Sequence, residues 1–152
     1  MPFTDSTFYP ETSPGYLVRQ IHQMSVAAID RTLAPDGLTA MQWTTLVSLY
    51  FDHADTCVGL ARGLGHDKGA MTRMIDQMEA NGWVLRHRDT DDRRIVRLTL
   101  TEAGREIAVA AKQKVIACWN VFLADWSDEE IAGMIATLQR LRHTMEASPC
   151  PV

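Results

Sequence analysis

The chain lacks most of what an enzyme or a secreted scaffold needs. Its three cysteines, Cys57, Cys118 and Cys150, are odd in number, widely spaced and without a C-x-x-C pair. That argues against a disulfide framework or a structural zinc site and predicts free, partly buried thiols. The histidines, His22, His53, His66, His87 and His143, are scattered with no i,i+4 pair on a helix, so no metal site is expected. There is no nucleophile elbow, phosphate-binding loop or dinucleotide fingerprint, so neither catalysis nor a cofactor is expected. No apolar run approaches the ~20 residues that a membrane span needs. The segment Met1 to Pro14 carries Asp5 and Glu11 and no apolar stretch, unlike a signal peptide. The expectation is a cytoplasmic protein with no membrane partner. Internal repeats and low-complexity stretches are absent as well.

What is present is an ordinary globular composition with an uneven charge. The 152 residues are 46% hydrophobic and 22% charged, enough to bury a core. The net charge of −4 speaks at first against a nucleic-acid partner. Residues 62–97, however, hold eight Lys/Arg against six Asp/Glu, an excess of two positive charges, so the remainder carries −6. Screening limits the reach of the acidic flanks to about 8–10 Å at ordinary salt, and the basic centre can meet phosphate locally. An acidic protein partner would suit the same asymmetry.

Local signals order the chain as helix, helix, short helix, helix, hairpin, long helix, helix. Ser13-Pro14 opens a first helix whose Leu17, Ile21, Met24 and Ala28 recur at helical spacing to about Leu33. Pro35-Asp36-Gly37 is a turn. Thr39 and Gln42 form a capping box for a second helix with Trp43, Leu46, Val47 and Tyr50 as its apolar face. A short third helix begins at Asp55 or Thr56 and runs to about Arg62, with Val58, Leu60 and Ala61 inward. After Gly63-Leu64-Gly65, a fourth helix runs from about Asp67 to Asn81-Gly82 on a stripe of Met71, Met74, Ile75 and Met78. Trp83–Arg88 and Ile95–Leu100 read as two strands around the polar turn Asp89–Asp92. Thr101 can cap a fifth helix (Ile107, Ala111, Val115, Cys118, Phe122). Ser127 with Glu130 caps a sixth (Ile131, Met134, Ile135, Leu138, Leu141, Met145). The tail from Ser148 to Val152 stops it.

The stretch from Thr56 to Thr101 carries the function. A short helix, a glycine turn and a longer helix make a helix-turn-helix, whose second helix can enter a major groove. Off the methionine stripe stand Lys68, Gly69, Thr72, Arg73 and Gln77. Arginine can donate twice to guanine, glutamine can pair with adenine, and threonine can touch a thymine methyl. Gly69 would let the helix start approach a phosphate through free amides. The bland alternative is an amphipathic helix with a solvated face. The hairpin tips the balance. Its turn holds Asp92-Arg93-Arg94, flanked by Arg86, Arg88 and Arg97, and a projecting arginine suits a narrow minor groove. Asp92 serves best there as an internal partner that orients an arginine, since a carboxylate aimed at DNA would be repelled.

The run from Asp67 to Val84 resembles the recognition-helix segment of the multiple-antibiotic-resistance-regulator (MarR) family. Asp89-Thr90-Asp91-Asp92-Arg93-Arg94, followed by Val96 to Gly104, is similar to that family's wing and its entry into the fifth helix. The resemblance in order and length covers nearly the whole chain. It implies a mainly α fold with a small β-hairpin wing, a winged helix-turn-helix whose N- and C-terminal helices form a dimerisation region. The implied division is 1–35 for the N-terminal segment and first helix, 36–101 for the DNA-binding domain and 102–152 for the C-terminal dimerisation helices. It implies a homodimer on double-stranded DNA, at a pseudo-palindromic operator, with the wing arginine Arg94 in the minor groove and Asp92 holding the wing. Lys68, Gly69, Thr72, Arg73, Gln77, Arg86, Arg93 and Arg94 are the expected DNA-binding residues. Most such proteins repress transcription, and many leave DNA when a small, often aromatic molecule binds. One departure is Thr90, where the family usually has proline after the first wing aspartate.

Family pockets lie between the dimer arm and the DNA-binding lobe, which makes Tyr16, His22, Trp43, His53 and Trp119 candidates for an aromatic or phenolic effector. Two alternatives stay open. One is a thiol-based, redox-responsive regulator acting through Cys57 or Cys118. Cys57 lies at a helix start, where the dipole lowers a thiol pKa, but peroxide-sensing relatives carry their cysteine in the first helix, which has none here. The other is a winged-helix protein-interaction module that binds no DNA.

Overall fold

The computed structural model describes residues 3–4 and 7–148, so Cys150 lies outside the described residues. Among the described residues, six α-helices and one hairpin follow in the expected order, with short 3-10 turns at Pro10–Thr12 and Ala34–Asp36: α1 (Pro14–Leu33), α2 (Ala40–Tyr50), α3 (Cys57–Leu64), α4 (Lys68–Ala80), β1 (Val84–Arg88), β2 (Val96–Leu100), α5 (Glu102–Phe122) and α6 (Asp128–Ala147). The chain divides into two compact units, Met1–Ile116 and Ala117–Val152. No helix among the described residues is long and apolar enough to cross a membrane.

The helix starts lie where the caps place them. Ser13 accepts from the Tyr16 amide with Pro14 at the first position, and Thr39 and Gln42 complete a capping box on α2. Thr56 accepts from the Gly59 amide, Asp67 from the Ala70 amide, and Ser127 with Glu130 closes a box on α6. Each side chain satisfies a donor that the helix itself leaves unpaired. The turn between α3 and α4 passes through Gly65 at φ 67°, a left-handed backbone that a Cβ would strain. There the His66 amide donates to the Ala61 carbonyl at 2.9 Å and closes the end of α3.

In the first unit, α3 and α4 pack together, β1 lies beside α4, and β2 touches α2 and α3. Leu33, Leu46, Leu60, Met71, Ile75, Met78, Val84 and Leu98 are all but inaccessible to solvent. The antiparallel hairpin pairs Val84 with Leu100 and Arg88 with Val96. Its alternation sends Val84, Leu98 and Leu100 into this core.

Three apolar faces differ from the expectation. On α2 the buried residues are Ala40, Gln42, Thr45, Leu46 and Leu49, while Trp43 and Val47 are half-buried and Tyr50 is exposed. The buried set keeps helical spacing but includes two polar residues. Gln42 is carried inward by its own capping box, where its carboxamide finds Thr39 and Gln77. On α3, Leu60 and Ala61 are buried but Val58 is exposed, because it faces away from α4 into an open groove beside β2. On α1 only the C-terminal end is buried, at Ala28, Ile29 and Leu33. Leu17, Ile21 and Met24 stand exposed, Met24 at 71%.

The second unit repeats this pattern. Val121, Phe122, Trp126, Ile135, Leu138, Leu141 and Met145 are exposed, and no residue of α6 is buried. In α5, Ala108, Ala111 and Val115 are buried, Ile107 and Cys118 are half-buried, and Phe122 is exposed. The stripes keep helical period, and among the described residues much of each stands exposed. An exposed apolar surface of this extent is unusual for a monomer.

Candidate nucleic-acid interface

α4 presents a row of polar side chains opposite its buried Met71, Ile75 and Met78. Lys68, Gly69, Thr72, Arg73 and Gln77 are all exposed. Among the described residues, no ion pair within 4 Å engages Lys68 or Arg73. The Thr72 hydroxyl donates to the Lys68 carbonyl at 2.8 Å, which leaves its oxygen lone pairs and methyl for a partner. Gln77 is partly committed, since its side-chain oxygen accepts from buried Gln42 at 3.4 Å.

The start of α4 differs from the free amide end expected at Gly69. The Asp67 carboxylate already accepts from the Ala70 amide at 2.9 Å. That bond, together with the Gly69 and Lys68 amides and nearby Arg73, lowers the Asp67 pKa despite an opposing desolvation. A phosphate there would meet a carboxylate, so Lys68 and Arg73 are the donors the helix start offers. A Cβ on Gly69 would come within 3.1 Å of the Asp67 carboxylate, so the glycine accommodates the cap.

The wing is built largely from paired charges. Arg86 is fastened to α4 by Asp76 at 2.6 Å and Glu79 at 2.7 Å, and its amide donates to Glu79 at 3.2 Å. This residue, expected at DNA, therefore ties β1 to the recognition helix. Arg88 donates to the Arg93 carbonyl at 2.8 Å. Asp92 accepts from the Arg94 amide at 3.0 Å and lies 3.6 Å from that residue's guanidinium. Arg94 itself is 94% exposed, and Arg93 is exposed and free of ion pairs among the described residues.

Asp89, which the sequence reading treated only as part of a polar turn, organises that turn. Its carboxylate accepts from the Asp91 amide at 2.8 Å and the Asp92 amide at 2.9 Å, and it pairs with Arg97. The Asp92 amide, then Arg97, then the Asp91 amide hold its pKa at about 2. Arg97 also pairs with Asp55, just before α3, and the two carboxylates raise its pKa further. An aspartate two and three residues before backbone amides in a turn is a recognisable Asx pattern. Its long-range partner was not legible.

The wing joins α5 through a close contact. Thr101 donates to the Gly82 carbonyl at 2.6 Å and accepts from the Gly104 amide at 2.9 Å. A Cβ at Gly104 would stand 2.0 Å from the Trp83 carbonyl oxygen, so only glycine fits.

Four of the effector candidates lie in the first unit and Trp119 lies in the second. Tyr16 and His22 are exposed on α1, and Gln20 donates to the Tyr16 hydroxyl at 3.1 Å. Half-buried Trp43 has an indole N–H without a hydrogen-bond partner. His53 is exposed beside Phe51, and Trp119 packs edge-on to Phe122 in the second unit. None of the five lines the shallow cleft of about 120 Å³ between α2 and α5, formed by Val47, Tyr50, Phe51, Ala108, Val109, Lys112 and Gln113. Lys112 stands 5.4 Å over the Phe51 ring at its edge. Cys57 and Cys118 are free and half-buried. The described residues hold no group of three or more potential metal ligands.

Comparison with known proteins agrees with this geometry. The family model of the MarR family matches residues 38–96. The chain is 33% identical over 111 residues to the multiple antibiotic resistance protein MarR of Escherichia coli K12, covering 72% of this chain and 77% of that protein. A cysteine-to-serine mutant of E. coli MarR complexed with operator DNA superposes with a TM-score of 0.73 at 29% identity, covering 84% of this chain and 91% of that one. CouR from Rhodococcus jostii RHA1 bound to p-coumaroyl-CoA gives a TM-score of 0.73 at 28% identity, covering 95% and 98%.

Proposed function

The chain belongs to the MarR family of transcriptional regulators, not enzymes, and we propose that it is a homodimeric, cytoplasmic repressor that binds a pseudo-palindromic operator and leaves it when a small aromatic or phenolic molecule binds. The observation that carries the DNA-binding reading is the pairing of unengaged donors on α4 with a braced wing. Lys68, Arg73, Arg93 and Arg94 are exposed, while most other charges of the wing are held within the protein. Lys68, Thr72, Arg73 and Gln77 are assigned to the major groove, Arg94 to the minor groove, and Arg93 to phosphate. Asp92 steadies Arg94, and Arg86 acts from behind by holding β1 on α4.

The dimer reading draws on the uncovered apolar faces of α1 and α6, which a second copy would bury. It divides the chain into arms at 1–35 and 102–152 around a DNA-binding domain at 36–101. Two recognition helices in one dimer then suit half-sites about one helical turn apart. The effector reading draws on the likeness to a regulator bound to a phenolic thioester. In this chain the small α2–α5 cleft, apolar with Lys112 at its edge, is the candidate seat for the aromatic part of such a ligand.

Selection of duplexes from a random pool by the purified protein tests the reading. Enrichment of an inverted repeat, with release in a screen of aromatic acids and their thioesters, is expected. A pool that shows no enrichment contradicts it.

A further inference from the structure

Arg97 differs in kind from the other arginines of the wing. It lies on β2, three residues past Arg94, yet its guanidinium joins two carboxylates from distant parts of the chain. Its Nε donates to Asp89, and its Nη1 donates to Asp55. Asp89 is the residue around which the wing turn is folded, through the Asp91 and Asp92 amides, and its side chain is only 10% exposed. Asp55 directly precedes Thr56, the cap of α3, and its carbonyl accepts from the Leu98 amide at 2.7 Å. One side chain thus spans from the turn that presents Arg94 to the entrance of the helix-turn-helix.

The Arg97–Asp55 pair is accessible to solvent at both partners, and such pairs contribute little to stability. What the arrangement fixes is geometry. A two-stranded hairpin is only marginally stable by itself, so a wing tip held only by its ladder would be loosely aimed. With Nε and Nη1 each bonded to a carboxylate, the guanidinium is held between Asp55 and Asp89 and its charge is offset by theirs. We propose that Arg97 is a positioning residue for DNA binding, which sets where Arg94 stands relative to the recognition helix α4 without itself contacting DNA. This rests on the DNA-binding reading above.

Charge supplies a clean discriminator. Asp55→Asn removes a negative charge near the interface, and simple electrostatics then predicts tighter binding to any duplex. Loss of wing position predicts weaker binding instead. The experiment measures affinity and its salt dependence on a selected duplex for Arg97→Met, Arg97→Lys and Asp55→Asn, each alone and combined with Arg94→Ala. Arg97→Met is expected to weaken binding about tenfold with an unchanged salt slope, and to cost less than about twofold once Arg94 is gone. Arg97→Lys should recover little, because one ammonium cannot reproduce two guanidinium edges. Asp55→Asn should weaken binding as well, and it carries the test if Arg97→Met does not fold. A salt slope reduced by about two in Arg97→Met, one phosphate lost from each of two copies, would mark a direct phosphate contact and overturn the proposal. So would unchanged affinity in that variant, losses that multiply with Arg94→Ala, or tighter binding by Asp55→Asn. A wild-type protein that binds no selected duplex would instead contradict the DNA-binding reading itself.

Discussion

The recognition helix and the wing both display basic side chains, but they hold them in opposite ways. On α4, Lys68 and Arg73 extend from a rigid helix with no ion pair within 4 Å among the described residues. In the wing, Arg86, Arg88 and Arg97 are each bonded to another part of the protein, and only the tip residues project. The difference follows from the scaffold. A helix packed through Met71, Ile75 and Met78 already fixes its backbone, so its side chains can stay adaptable for base edges. The base of the two-stranded ribbon is packed through Val84, Leu98 and Leu100, but its tip has no such core, and a web of charges and an Asx turn supply its stiffness. Adaptable donors thus sit on the rigid element, and bonded donors rigidify the flexible one.

The largest expected effect removes the seat beneath the wing. Gly104→Ala places a methyl against the Trp83 carbonyl, and overpacking of that severity should lower stability by about 3 kcal/mol or more. Denaturant unfolding measures it, and a loss below about 1 kcal/mol would show the junction to be pliant. Next comes Arg94→Ala, expected to weaken duplex binding by about ten- to a hundredfold with fold and dimer intact. Titration with labelled operator checks this, and unchanged affinity would remove the wing tip from the interface. Arg73→Ala should act on sequence preference, relaxing one base position by about 1–3 kcal/mol. Repeated selection with the variant would show it, and an identical preferred site would contradict base reading by α4. The smallest effect concerns acid. Asp89 has a depressed pKa, so its contribution to wing order is fully present above the ordinary carboxylate pKa and fades only as pH falls through about 2. Carboxyl resonances of Asp89 should titrate near 2, and a midpoint near 4 would mean that the turn and Arg97 do not hold it.

Much of this was legible from local chemistry. Ser13, Thr39, Thr56, Asp67 and Ser127 each cap where a polar residue precedes an apolar period, so the element order and starts followed directly. The exposure of Lys68, Thr72 and Arg73 followed from the methionine stripe. What escaped the sequence were pairings across long separations. Nothing in Asp89-Thr90-Asp91-Asp92 distinguishes the carboxylate that folds the turn from the one beside Arg94, and Asp55 is 42 residues from Arg97. Nothing local signals that Arg86 pairs with Asp76 and Glu79, which belong to another element. Polar residues at core positions misled too. Gln42 and Thr45 carry the buried face of α2, and a hydrophobicity pattern passes over both. Leu17, Ile21 and Leu138 keep the helical spacing of an apolar stripe, yet they are exposed, and spacing alone does not tell a buried stripe from an exposed one.

The most direct test of the whole account is the salt dependence of binding to the selected inverted repeat. Lys68, Arg73, Arg93 and Arg94 from two copies should neutralise several phosphates. The account predicts a logarithmic slope of roughly −5 to −8, at about −0.9 for each phosphate. Affinity that stays flat as salt rises would contradict it, and would leave the winged helix as a surface for protein rather than DNA.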